Sequence, residues 1–185
     1  MNFNQHSQLA GLHAAFSPSQ PSWLRYDDEQ ALEVYTNRKA AEMGTRLHAW
    51  AAETIKLGIK QPRSNKTLSA YVNDAISYKM EPEVVLLYSE RFFGTADAIC
   101  FRNNFLRIHD LKTGRNRAKM EQLLVYAALF CLEYGKKPSD IEMELRIYQN
   151  DDIEVAKPIA EDIVPIMNKI VYLDKLLRKH EGKEV

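Results

Sequence analysis

The chain has 185 residues with 25 basic and 25 acidic side chains, so no net field is available to hold a polyanion and any nucleic-acid contact must come from local patches. Its length and its 45% hydrophobic content suit one compact domain with a sizeable core. No apolar run nears the roughly 20 residues of a membrane span. Two cysteines, Cys100 and Cys131, are too few for a disulfide framework, a zinc site or an iron–sulfur cluster, and a cytoplasmic protein is expected.

Met1 to Ser22 is polar, aperiodic and unlike a signal peptide, and reads as a flexible lead-in with room for one helical turn at Leu9–Phe16. A single domain is expected from Trp23 to Val185. Asp27 or Asp28 can cap a helix whose apolar residues, from Leu32 to Ile55, recur at helical spacing up to Gly58. Gly44 interrupts that run, which leaves two helices or one kinked helix. A second helix is expected over Thr67–Tyr78.

Pro82 stops the helical pattern, and Val84–Tyr88 reads as a buried strand. Phe92–Phe101 and Phe105–Lys112 are apolar, β-branched and aromatic runs separated by Arg102-Asn103-Asn104, where asparagine tolerates the positive φ of a tight turn. They form an expected antiparallel hairpin. Thr113-Gly114 ends the second strand, and Ala118–Tyr134 is a helix closed by Gly135. Ile141–Tyr148 alternates as a half-exposed strand, and Pro158 opens a last amphipathic helix. The order predicts an α/β fold with a mixed sheet, the helix after Lys112 serving as the crossover between parallel strands.

Candidate chemistry concentrates in and after the hairpin. With Asn103-Asn104 as a two-residue loop, Asp97 faces Asp110 with Cβ atoms about 5 Å apart. Lys112 lies on the same strand face as Asp110. Aspartate is depleted in strands, and two opposed carboxylates repel, a cost that a divalent cation turns into a binding site. Lys112 has a second reading as a plain ion-pair partner. His48, on the first helix, is a lone histidine of a kind that is more often structural. Gln122 and Tyr126 are four residues apart and share a helix face. Arg115, Arg117 and Lys119 extend the basic run begun by Lys112, which reads as a solvated loop or as a phosphate anchor beside a helix N-terminus.

Four segments in order, Gly44-Thr-Arg-Leu-His48, Gly94-Thr-Ala-Asp97, His109-Asp-Leu-Lys-Thr-Gly114 and Gln122-Leu-Leu-Val-Tyr126, resemble the RecB-like branch of the PD-(D/E)XK nuclease superfamily. That branch includes phage and CRISPR-associated exonucleases. The resemblance covers about Gly44 to Tyr148 and implies a restriction-endonuclease-like three-layer core. It implies Mg²⁺ or Mn²⁺ bound by His48, Asp97, Asp110 and the Leu111 carbonyl. Asp97, Asp110 and Lys112 would be catalytic, with Lys112 assisting the attacking water, while Gln122 and Tyr126 position the strand.

The implied activity is DNA hydrolysis from linear or single-stranded ends, leaving a 5′-phosphate, in recombination, repair or phage DNA processing. The setting would be a bacterial or phage-infected cell, with a recombination or replication partner delivering the substrate and no membrane engaged. Relatives with a four-cysteine iron–sulfur cluster differ in a feature this chain lacks the cysteines to build. Asp110 stands where many relatives have glutamate. The alternatives are a structure-specific or nicking endonuclease, and a non-catalytic binding module on a nuclease-like fold.

Overall fold

The computed structural model describes residues 14–114 and 116–182. Most of the Leu9–Phe16 segment, and Arg115, lie outside the described residues. The chain divides into two compact units, Met1–Thr45 and Arg46–Val185.

In the first unit a short 3-10 turn, Pro21–Arg25, precedes the start of helix α1 (Asp28–Lys56). Trp23 donates its indole N–H to the Ser17 carbonyl at 3.0 Å, and Asp27 Oδ1 caps α1 by accepting from the Gln30 N–H at 2.8 Å. The helix runs through Gly44 into the second unit without a break. An interior glycine costs only about 1 kcal/mol, and the Ala, Glu, Met, Arg and Leu residues around it are good helix formers.

The second unit holds the end of α1, helix α2 (Thr67–Ser77), strands β1 (Glu81–Ser89), β2 (Phe92–Arg102) and β3 (Phe105–Leu111), helix α3 (Glu121–Glu133), strands β4 (Glu142–Gln149) and β5 (Asp152–Ala156), and helix α4 (Ala160–His180). The sheet follows chain order, β1-β2-β3-β4-β5, and only the β3–β4 pair is parallel. This is an α/β fold with a mixed central sheet covered by helices on both faces. As expected, α3 is the crossover that the parallel pair requires.

Two apolar clusters cover the two sheet faces. Leu86, Leu106, Ile108, Met143, Leu145 and Ile147 pack against α3 and α4, whereas Leu111 and Tyr148 pack with Ala51, Ile55, Tyr71 and Val72 of α1 and α2. Fully buried side chains such as Leu106 and Leu145 each contribute about 1.5–3 kcal/mol of transfer free energy. Helix α3 lies between the sheet and α4, which is why its sequence is apolar around most of its circumference.

Strand β5 has no counterpart in the sequence reading. It is reached through a tight turn at Asn150 and Asp151, both with positive φ, so the same two-residue device builds this hairpin and the β2–β3 hairpin. Strand β4 is buried along most of its length rather than half-exposed. Its polar side chains find partners: Arg146 binds Asp74 of α2 at 3.1 Å and the hydroxyl of Tyr78, just past that helix, at 3.2 Å, while Glu144 accepts from Arg107 of β3. Among the described residues no helix is long and apolar enough to cross a membrane.

Candidate metal centre

Asn103 and Asn104 adopt φ of 51° and 58°, the two-residue turn that fixes the hairpin register. The β2–β3 ladder then pairs Ala98 with His109, one step short of Asp97 and Asp110. There the Asp97 side chain takes over from the ladder, its Oδ2 accepting the Leu111 N–H at 2.9 Å. That bond fixes the backbone of Leu111 beside Asp97.

The β1–β2 ladder omits one pair at the same point. Pro82 pairs with Ala98 and Val84 with Ala96, so Glu83 stands opposite Asp97, with φ of 56°. Ala98 packs with the α2-side cluster and Ala96 with the α3-side cluster, although strict alternation would place both on one face. The change of face falls on Asp97 and on Glu83 opposite it, with the register the same on either side. A left-handed glutamate inside a strand costs about 1–3 kcal/mol and is a strain of the kind that gathers at functional sites.

Three ligand atoms converge there, one each from His48, Glu83 and Asp97, all within 4.8 Å of one another. His48 Nδ1 lies 3.4 Å from Asp97 Oδ2. The hydrogen bond to Asp97 raises the His48 pKa, and the charges of Asp97, Asp110 and Glu83 add to it against partial burial.

Asp110 adjoins this trio and is only 2% exposed. Burial first and the Asp97 carboxylate second push its carboxyl up to about 6, against the pull of Lys112. Lys112 Nζ stands 3.0 Å from each carboxylate oxygen, but its geometry suits a hydrogen bond to Oδ1 alone. Oδ2 is buried and left without a hydrogen-bond partner. Lys112 also donates to Gln122 Oε1 at 2.9 Å, and Gln122 Nε2 reaches the Tyr126 hydroxyl at 3.4 Å. Asp110, Lys112, Gln122 and Tyr126 are thus one polar chain leading from β3 to α3.

Gly94 explains how Tyr126 comes so close. A β-carbon at this position would stand 2.8 Å from Tyr126 Cε1, so the glycine preceding Thr-Ala-Asp97 makes room for the ring.

His109 belongs elsewhere. It is fully buried on the α2 side, 3.2 Å from the Tyr148 hydroxyl, and burial lowers its pKa to about 3. Arg117 is 85% exposed, paired with Glu154 at 3.3 Å, and Lys119 is exposed. The loop carrying them is clamped by Gln149, whose amide donates to the Gly114 and Asn116 carbonyls at 2.7 Å and whose oxygen accepts the Ala118 N–H at 2.9 Å.

The structure therefore gathers His48 with Asp97, and Asp110 with Lys112, Gln122 and Tyr126. Sequence reasoning missed Glu83, whose only signal was its place opposite Asp97 once β1 and β2 are paired. It also missed Gln149 and Tyr71. Tyr71 is buried, and burial together with the charges of Asp97, Glu83 and Asp110 raises its pKa, keeping the phenol protonated.

The donor set fits a hard divalent cation: the carboxylates of Glu83 and Asp97 with the His48 imidazole, and beside them the Asp110 carboxylate, whose buried Oδ2 accepts no hydrogen bond. Comparison of the chain with protein-family models, curated proteins and solved structures finds no match.

Proposed function

We propose that the chain is a Mg²⁺- or Mn²⁺-dependent nuclease that hydrolyses DNA phosphodiester bonds, acting at strand ends. The observation carrying this reading is the buried Asp110 carboxylate beside the His48, Glu83 and Asp97 trio, its Oδ2 accepting no hydrogen bond and the Lys112 ammonium lying 3.0 Å from both of its oxygens. A purely structural ion pair would have no use for three further ligating groups. The ordered motifs that resemble the RecB-like nucleases favour the same reading.

A bound cation would polarise the scissile phosphate and lower the pKa of its water. Lys112, fixed between Asp110 and Gln122, supplies positive charge against the negative charge that develops on the phosphate. The Gln122 and Tyr126 pair offers polar atoms to the strand on the α3 side. Arg117 and Lys119 contribute long-range attraction, weak at physiological salt because both are exposed and Arg117 is already paired.

The test is incubation of linear and covalently closed circular DNA with Mg²⁺ or Mn²⁺, with and without chelator. Linear DNA is expected to be consumed while circles persist. Cleavage of closed circles would point to an endonuclease, and intact DNA of both forms under every metal would contradict a nuclease altogether.

Glu83 separates strain from ligation. Glu83→Gly relieves the left-handed backbone and is expected to stabilise the metal-free protein by about 1 kcal/mol. The same substitution is expected to weaken Mn²⁺ binding about 10- to 100-fold. Thermal unfolding in chelator and calorimetric titration measure the two effects, and unchanged Mn²⁺ affinity would remove Glu83 from the ligand set.

A further inference from the structure

One sheet surface beside the metal centre has no partner among the described elements. Leu86 is fully buried toward α3, so its neighbours Val85 and Leu87 point to the opposite face, where they are 54% and 49% exposed. Across the ladder Val85 pairs with Thr95 and Leu87 with Phe93, which is 62% exposed. At about 3.4 Å per residue, Thr95 lies about 7 Å and Phe93 about 14 Å along β2 from Asp97.

We propose that Phe93, floored by Val85 and Leu87, is a stacking ledge for unpaired bases next to the scissile phosphate, so that the site takes single-stranded ends in preference to blunt duplex. The proposal rests on the nuclease reading of the adjoining centre. Val85, Leu87, Phe93 and Thr95 carry no charge, so this surface suits the face of a base rather than a phosphate. A phosphate would instead meet a cation held by His48, Glu83 and Asp97, and Lys112 just past the end of β3. Aromatic stacking accepts any base, as end processing without sequence preference requires. A second copy adding a strand at this edge is disfavoured, because the Glu133 carboxylate already accepts the outward N–H of Leu87 at 2.8 Å and Pro82 on the same strand has none to offer.

The test uses a short single-stranded oligonucleotide carrying 2-aminopurine near one end, a base whose fluorescence is quenched by stacking. Wild type, Phe93→Ala and Phe93→Trp are compared for quenching and, with Mn²⁺, for cleavage of that strand and of its blunt duplex. Phe93→Ala is expected to lose the quenching and to raise KM for the single strand about 5- to 100-fold with kcat little changed. Phe93→Trp is expected to restore both. Phe93 is largely exposed, so none of these variants disturbs the core. Equal quenching and equal KM in wild type and Phe93→Ala would overturn the ledge. So would a wild-type dimer that Phe93→Ala dissolves, since a second copy would then be the occupant. A wild type that quenches the probe but cuts nothing would count against the nuclease reading and leave the ledge standing.

Discussion

Asp110→Asn is expected to abolish cleavage and, in the absence of metal, to make the protein more stable. The Asp110 carboxyl, 2% exposed, is pushed up to about 6 from its ordinary 3.8 by burial and by Asp97. A raised folded-state value means that the fold favours the protonated acid. The stability it provides is therefore complete below about pH 4 and is lost as pH rises through about 6. Near neutral pH the ionised carboxylate costs the metal-free protein about 3 kcal/mol at most. Asparagine keeps the shape and an acceptor for Lys112 without the charge, so a gain of about 1–3 kcal/mol is expected, or roughly 2–10 °C in Tm for a chain of this size. Cleavage should fall at least a hundred- to a thousandfold, as when one preorganised electrostatic contact to a transition state is removed. Thermal unfolding in chelator at neutral and acid pH checks the first part: the advantage of the variant should shrink toward zero below about pH 4. A variant that is less stable than wild type at neutral pH would show that Asp110 serves the fold rather than a cation.

Lys112→Met is the second large effect. Lys112 Nζ sits 3.0 Å from Asp110 Oδ1 and 2.9 Å from Gln122 Oε1, two acceptors that hold the ammonium in one place. Methionine keeps the length of the side chain and removes the charge, and kcat is expected to drop about 100- to 1000-fold. Lys112 also lowers the pKa of Asp110. Without it the carboxyl rises further, so the pH at which Mn²⁺ binding sets in must move upward. Calorimetric titration across pH separates this from a role in the reaction alone, which would leave the binding profile where it was. Retained kcat would reduce Lys112 to an ion-pair partner of Asp110.

The hairpin was legible because its turn residues are chemically distinctive. Asn103-Asn104 announces a two-residue loop, and the loop fixes the register that brings Asp97 toward Asp110. Helix α3 was equally legible, its end marked by Gly135 with φ of 60°. Glu83 was not, because glutamate gives no residue-type signal for a left-handed backbone and its place opposite Asp97 depends on how β1 and β2 meet. Strand β5 was hidden by its length of five residues, too short for an alternation to stand out beside a turn that only structure confirms. The buried polar face of β4 was misjudged because its partners, Asp74 and Tyr78, come from a helix some 70 residues earlier in the chain, a pairing that periodicity cannot report. What the sequence placed least well was thus long-range: Glu83, a fifth candidate ligand, and the tertiary partners of polar strand residues.

The most direct test of the proposed metal centre is the release of labelled nucleotide from end-labelled linear DNA as Mn²⁺ is titrated into wild type and Asp97→Ala. Asp97 is the residue shared by the His48 contact, the Leu111 N–H bond and the three-residue ligand cluster. Release that rises and saturates with Mn²⁺ in wild type and is absent in Asp97→Ala is the expected result; no release at any metal concentration, or the same curve from both proteins, would contradict the account.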